Sequence, residues 1–249
     1  LINNNMKPVC AVTQPDKPRG RGYKLMPPEV KVAAEENGIP VYQPETLKNG
    51  ELQPILEEYK PDIIAVVAYG KLLPEYVLNF PKYGCVNMHA SLLPKYRGAA
   101  PVQWAVINGD EYSGVTTMMM EKGLDTGDML LSERVKIGEY ETSEQLFERI
   151  SALGAEVLCR TIQNIETIKP IPQRDEDHTY APMLTKEMGK IDWNNDMNTI
   201  SKLICGMNSW PLAYAEYNGE NVKIIEAYKC GEAVKGKPGE VIEHVKGKG

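Results

Sequence analysis

What the 249-residue chain lacks narrows its class first. No apolar run approaches the ~20 residues that a membrane-crossing helix needs. The opening Leu1-Ile2-Asn3-Asn4-Asn5 has neither the basic head nor the apolar centre of a secretion signal. Five cysteines, at positions 10, 85, 159, 205 and 230, are an odd number with no C-x-x-C pair, and only three histidines accompany them. A disulfide framework and a zinc site are both disfavoured, so no metal is expected and a reducing, cytoplasmic setting fits. Positive charge is scarce too: 28 basic residues stand against 34 acidic ones, and the net charge of −6 argues against wholesale affinity for polyanions. The remaining composition, 42% hydrophobic and 25% charged, is that of an ordinary globular protein with room for one large or two modest domains.

The scarcity of positive charge is uneven. Residues 1–31 hold six basic groups against two acidic ones, a local balance of +4, while the rest of the chain carries −10. Such asymmetry permits one local contact with a polyanion. The stretch 14–28 has four prolines and two glycines in fifteen residues, so regular structure is not expected there. It reads either as a solvated loop or as a basic arm, in which Arg19, Arg21 and Lys24 with the aromatic Tyr23 suit phosphates and stacked bases. Gly20-x-Gly22 is no dinucleotide fingerprint, because the third glycine is missing and no strand immediately precedes it.

Taken in order, the chain alternates strand and helix. Strands are expected at 9–13, 39–42, 63–68 and 85–88, with helices at 29–37, 52–59 and 98–108 between and after them. The continuous apolar run 63–68 is what a strand covered on both faces requires. This alternation predicts an α/β fold built on a doubly wound, mostly parallel sheet. Strands at 115–121 and 129–136 would finish it with an antiparallel pair, with the methionines 118–120 as sheet packing. A helix from 142 to about 166 opens with a capping-box spacing, Thr142 to Gln145. Prolines and charges at 169–183 mark a linker, which divides the chain into a domain over 1–168, a linker over 169–185 and a second domain over 186–249. The second domain is expected to hold a helix at 196–207 and strands at 212–217, 222–228 and 239–245, with a turn at Asn218-Gly219. Those strands read as the start of a small β-barrel.

The candidate chemistry sits after the strand at 85–88. On an extended segment Asn87 and His89 point to the same side, and crevices outside the carboxyl ends of parallel strands are where ligands bind. An amide and an imidazole on one side form a donor pair for a carbonyl oxygen that gains negative charge. Asp125, in the glycine-bracketed run Gly123-Leu124-Asp125-Thr126-Gly127, could orient and charge the imidazole. Tyr69-Gly70, at the end of the strand 63–68, is a second candidate wall. Asn-x-His alone is also compatible with a satisfied structural histidine.

The longer string His89-x-Ser91-Leu92-Leu93-Pro94-x-x-Arg97-Gly98, with Asn87 before it and Leu124-Asp125-x-Gly127 after it, resembles the folate-dependent formyltransferases. The resemblance covers nearly the whole chain. It implies a Rossmann-like formyltransferase domain, a catalytic trio of Asn87, His89 and Asp125, and a folate-contacting loop of Ser91, Leu92, Leu93 and Pro94, with Tyr69 and Gly70 beside it. The co-substrate it implies is 10-formyltetrahydrofolate, with no metal. The basic segment 14–31 and Lys190-Ile191-Asp192-Trp193, followed by Asn208-Ser209-Trp210-Pro211, are similar to features of the family branch that formylates initiator methionyl-tRNA. In that branch a basic loop, here Arg19, Arg21 and Lys24, engages the tRNA, and the carboxy-terminal domain is an oligonucleotide-binding-like barrel. The resemblance also implies a monomer that formylates methionyl-tRNA for translation initiation, acting in the cytoplasm and not at a membrane. Enzymes that formylate amino sugars share the catalytic core and are the alternative. An RNA-binding protein without catalysis is a further one, against which the intact trio speaks. The family's first strand and its Gly-Thr-Pro-type turn have no match here, and the last barrel does not close, so the chain is expected to be incomplete at both ends.

Overall fold

The computed structural model describes residues 1–19, 24–230 and 235–243, with the backbone alone at Arg19 and Lys24. In chain order its main elements are β1 (Ala11–Val12), β2 (Lys17–Arg19), β3 (Lys24–Met26), α1 (Glu29–Glu36), β4 (Val41–Tyr42), α2 (Gln53–Tyr59), β5 (Ile64–Val67), α3 (Glu75–Leu78) and β6 (Cys85–His89). There follow β7 (Arg97–Gly98), α4 (Pro101–Ile107), β8 (Tyr112–Met119), β9 (Met129–Lys136), α5 (Ser143–Gln163), β10 (Tyr180–Ala181), α6 (Met197–Met207), β11 (Ala213–Tyr217) and β12 (Glu220–Ile224). The chain divides into two compact units. One comprises Leu1–Arg97, Gly114–Glu133 and Ser151–Thr179; the other comprises Gly98–Ser113, Arg134–Ile150 and Tyr180–Gly249. Among the described residues no helix is long and apolar enough to cross a membrane.

The first unit is built on a mixed sheet in the order β5-β6-β8-β9. β5 and β6 run parallel, with Val66 opposite Asn87, and β6 and β8 run antiparallel, with His89 opposite Thr116. Alternation along β6 sorts its side chains. Val86 joins Leu130 and Leu158 in one buried cluster that Met88 packs against, while Cys85 lies on the other face with Leu47, Leu52, Leu56 and Val77. Gly154 of α5 makes room for Met88, because a Cβ there would come within 2.8 Å of the Met88 Sδ. Among the methionines 118–120, Met118 is fully buried and the other two pack on the clusters to either side of the sheet.

Two sequence expectations fail in this unit for physical reasons. Within the stretch 14–28 regular structure does form: β2 and β3 make an antiparallel ribbon with Lys17 opposite Met26, Pro18 opposite Leu25 and Arg19 opposite Lys24. An antiparallel ribbon bonds each strand to its partner through alternate residues, so one proline in a two-stranded edge is tolerated. β5, read as covered on both faces, is the outermost strand of its sheet among the described residues, and Ala65 and Val67 are exposed. β1 instead pairs with β4 in a separate two-stranded parallel sheet.

The second unit packs α4 and α6 with β11 around Ala100, Leu184, Ile191, Ile204, Met207 and Ala213. Its helices start as their sequences dictate. The Thr142 N–H donates to the Gln145 Oε1 at 3.0 Å and the Gln145 N–H returns to the Thr142 Oγ1 at 3.2 Å, a complete capping box for α5. Asp196 caps α6 by accepting from the N–H groups of Asn198 and Thr199. Asn218 and Gly219 both have positive φ, 51° and 81°, and close the β11–β12 hairpin as a type I′ turn demands. The strand expected at 222–228 ends at Ile224, and residues 239–243, expected to begin a further strand, are irregular. Positions 244 and 245 of that expectation lie outside the described residues.

Candidate active site

β6 delivers both central side chains to the carboxyl edge of the sheet. Asn87 and His89 are two residues apart on it, and β5 runs parallel beside them, so the Tyr69-Gly70 turn after β5 lies at the same edge. Cys85, one pleat earlier on the same face, is not a nucleophile: burial pushes its thiol up to about 12, leaving it protonated at neutral pH.

His89 is buried, only 6% exposed, and both ring nitrogens face acceptors. Nε2 lies 2.8 Å from the Tyr96 carbonyl oxygen, and Nδ1 lies 3.6 Å from the Asp125 Oδ2. A carbonyl can only accept, so Nε2 carries the proton and Nδ1 is the nitrogen that gains or loses one. The 3.6 Å separation is longer than a hydrogen bond but close enough for charge to act. Nδ1 is therefore oriented by Asp125 without being tied to it. Asn87 is half-buried, and among the described residues its amide has no hydrogen-bond partner. Asn87 and His89 thus stand on one side of β6 at the sheet's edge.

Asp125 is held by its loop. Its φ is 54°, a left-handed conformation that Asp and Asn tolerate better than most residues. Two residues on, a Cβ at Gly127 would meet the Met119 carbonyl oxygen at 1.8 Å, so only glycine lets the loop lie against β8. The Gln173 side-chain amide then donates to the carbonyls of Asp125 at 2.9 Å and Gly127 at 2.8 Å.

The loop after β6 is fastened by Thr116 of β8, which is fully buried. Its hydroxyl donates to the Ser91 carbonyl at 2.8 Å, and accepts from the Leu93 N–H at 3.1 Å and the Ser132 hydroxyl at 3.1 Å. Thr116→Val keeps the shape but leaves the Leu93 N–H and the Ser91 carbonyl unpaired. A loss of about 1–3 kcal/mol is expected. Urea unfolding checks it: the midpoint should fall at constant slope, and Thr116→Ser should recover most of the loss.

The remaining sequence-predicted residues divide by accessibility. Leu92 and Pro94 are half-exposed, whereas Ser91 and Leu93 are buried, and the Ser91 hydroxyl is spent on the Lys95 carbonyl at 2.7 Å. The Tyr69 ring packs against the cluster around Leu47 and Val77, and its backbone carbonyl accepts from the Gln14 side chain at 2.6 Å. A Cβ at Gly70 would meet that same Gln14 amide at 3.1 Å. Arg19 and Lys24 sit on the β2–β3 ribbon, and Arg21 lies outside the described residues. Asp16, Lys31 and Gln43 fasten the ribbon's base, with Lys31 Nζ at 3.0 Å from both Asp16 oxygens and 2.7 Å from the Gln43 Oε1. Hydrogen bonds from Gln43 and from Lys31 hold the Asp16 carboxyl below the usual carboxylate range. Thr116 and Gln173 escaped the sequence reading. Thr116 is a polar residue inside an apolar strand, a signal that could have been noticed; Gln173 sits among prolines and charges and offers none.

Known proteins resemble this chain over most of its length. A family model described as formyl transferase matches residues 2–162, and one described as formyl transferase, C-terminal domain, matches residues 183–249. The methionyl-tRNA formyltransferase of Alkaliphilus oremlandii is 47% identical over 245 residues, covering 98% of this chain and 79% of the relative. That of Caldanaerobacter subterraneus is 49% identical over 246 residues, covering 98% and 80%. Among solved structures, an N-formyltransferase from Helicobacter canadensis, crystallised with folinic acid and dTDP-3-aminofucose, shares the fold. It has a TM-score of 0.68 at 22% identity, over 90% of this chain and 79% of that one. With one family model over residues 2–162, a second over residues 183–249, and relatives 47–49% identical over 98% of the chain, the chain belongs to the formyl transferase family.

Proposed function

We propose that this chain transfers the formyl group of 10-formyltetrahydrofolate to the α-amino group of methionyl-tRNA, giving N-formylmethionyl-tRNA for translation initiation. The observation that carries the reading is 47–49% identity, over 98% of the chain, to methionyl-tRNA formyltransferases. The residues present fit such a donor: among the described residues the Asn87 amide has no hydrogen-bond partner, the His89 Nδ1 lies 3.6 Å from a carboxylate, and Leu92 and Pro94 in the loop after β6 are half-exposed. When bound, the folate supplies an activated formyl carbon.

The chain's own residues do the rest. The Asn87 amide donates to the formyl oxygen as that oxygen gains negative charge, and the His89 Nδ1, when protonated, donates beside it. Nδ1 takes up the proton released by the attacking amine, offers it to the oxyanion and then gives it to the departing nitrogen, so no covalent enzyme intermediate is needed. The Asp125 carboxylate at 3.6 Å stabilises the positive ring while it holds that proton. Ser91, Leu92, Leu93 and Pro94 form the folate-side wall with Tyr69 and Gly70, in which Ser91 shapes the turn and Leu92 and Pro94 give the apolar contact.

Arg19, Arg21 and Lys24 of the basic segment 14–31 engage the tRNA. An Arg21→Ala protein should use methionyl-tRNA roughly tenfold less efficiently, with a shallower salt dependence. Folate affinity should not change, and unaltered tRNA kinetics would remove the ribbon from recognition. The division into domains at 1–168 and 186–249 with a linker between them is supported by the separate family matches. The β11–β12 hairpin is the opening of an oligonucleotide-binding-like barrel that adds to the tRNA surface. The enzyme works as a cytoplasmic monomer.

The second reading is transfer to an amino-sugar nucleotide, which the fold shared with the Helicobacter canadensis enzyme favours. Offering both acceptors with 10-formyltetrahydrofolate decides the matter. Formyl on the tRNA alone upholds the proposal, and formyl on the sugar alone replaces it while leaving the trio in its roles.

A further inference from the structure

We infer that Gln173 is a positioning residue for the formyl transfer proposed above: it fixes the distance between His89 and Asp125 as the joint of a closed circuit of contacts. From the His89 Nε2 the circuit passes to the Tyr96 carbonyl at 2.8 Å and along the chain to Arg97. The Arg97 Nε donates to the Gln173 Oε1 at 3.0 Å, and the Gln173 Nε2 donates to the Asp125 carbonyl at 2.9 Å. It closes where the Asp125 Oδ2 faces the His89 Nδ1 at 3.6 Å. One side chain therefore ties the backbone that holds one face of the imidazole to the backbone that carries the carboxylate on its other face.

The hydrogen-bond inventory of glutamine is what this joint needs. The amide nitrogen has two hydrogens, and both are used, one on Asp125 and one on Gly127 at 2.8 Å. The amide oxygen accepts from a guanidinium, which polarises the amide and strengthens its donation. Arg97 is itself fixed. Its side chain is 3% exposed, its terminal nitrogens lie 3.2 Å from the Asp175 Oδ1, and its own N–H donates to the Thr179 carbonyl at 2.9 Å. Asp175 is 85% exposed, so solvent screens its charge, and the Gln173 amide oxygen gives the buried guanidinium a second acceptor at 3.0 Å. The segment carrying Gln173 is registered by a double bridge, with Ile171 and Met129 exchanging N–H···O bonds at 2.9 Å in both directions.

The inference rests on the proposed transfer reaction and adds a residue that acts through Asp125 and His89. Its test uses the full chain with Gln173→Met, which keeps the volume and loses every hydrogen bond, and Gln173→Glu, which keeps the acceptor for Arg97 but sets a carboxylate against two carbonyls. Turnover is measured per folate-binding site, so that unfolded material does not count. Because misplacement of a reacting group by about 1 Å costs up to a hundredfold, both variants should lose at least tenfold in kcat. KM for both substrates should stay within about twofold, the split expected when geometry and not binding is lost. A kcat per site within twofold of the unmodified protein in both variants overturns the inference, as does a loss confined to KM. Should one variant fail to fold, the other alone is read by the same two limits. If the unmodified protein transfers no formyl group to either acceptor, the reaction assignment has failed instead, and the two failures are told apart by that first measurement.

Discussion

Formyl transfer by a His89→Gln protein is expected to fall by on the order of a hundredfold to a thousandfold, with the fold and folate binding retained. Glutamine carries an amide nitrogen that can take the place of Nε2 on the Tyr96 carbonyl, 2.8 Å from the ring in the native chain. It has no group that can take up or release a proton where Nδ1 stands. The substitution therefore separates holding the loop from moving the proton. His89→Ala removes both, including the buried hydrogen bond to the Tyr96 carbonyl, so it should also cost about 1–3 kcal/mol of stability. Single-turnover transfer at saturating 10-formyltetrahydrofolate is the measurement, with thermal unfolding alongside it. A His89→Gln protein that keeps a third of its rate would take Nδ1 out of the chemistry and return His89 to the role of a structural residue.

Asp125→Asn is expected to lose on the order of a hundredfold in the same assay. Asparagine is the informative choice because position 125 has a φ of 54°, where alanine would add backbone strain of about 1–2 kcal/mol. Its amide keeps the size and the left-handed preference and removes only the charge. The carboxylate lies 3.6 Å from Nδ1 with its side chain 13% exposed, so little water screens it from the ring. Because the pair acts as a unit, the double variant His89→Gln/Asp125→Asn should be scarcely slower than the worse single one. Independent, multiplying losses would show that Asp125 acts on something other than His89, and the relay assigned to the two would have to be abandoned.

The parts of this protein that were legible in the sequence are those whose cause is local. The Thr142–Gln145 capping box, the Asp196 cap, the Asn218-Gly219 turn and the strand Met129–Lys136 each follow from a few neighbouring side chains. Asn87 and His89 reach one edge of the sheet because a strand has a period of two, and that too is local. Composition misled where it was read without pairing. Four prolines and two glycines suggested an irregular stretch at 14–28, yet a ribbon needs only alternate bonds and forms there. An apolar run suggested a strand enclosed on both faces, yet β5 has β6 as its single neighbour among the described residues.

By itself, then, the sequence determined the strand-and-helix alternation, the helix caps and the placing of an amide and an imidazole at the end of β6, all of which depend on short-range geometry. Only the tertiary structure decided that His89 lies opposite Thr116, that Asp125 faces Nδ1, and that Gln173 joins Arg97 to the Asp125 loop. Those partners stand 48 and 76 residues from Gln173 along the chain. No local period encodes a meeting at such separations; it follows from sheet order, register and the turn that glycine permits at position 127.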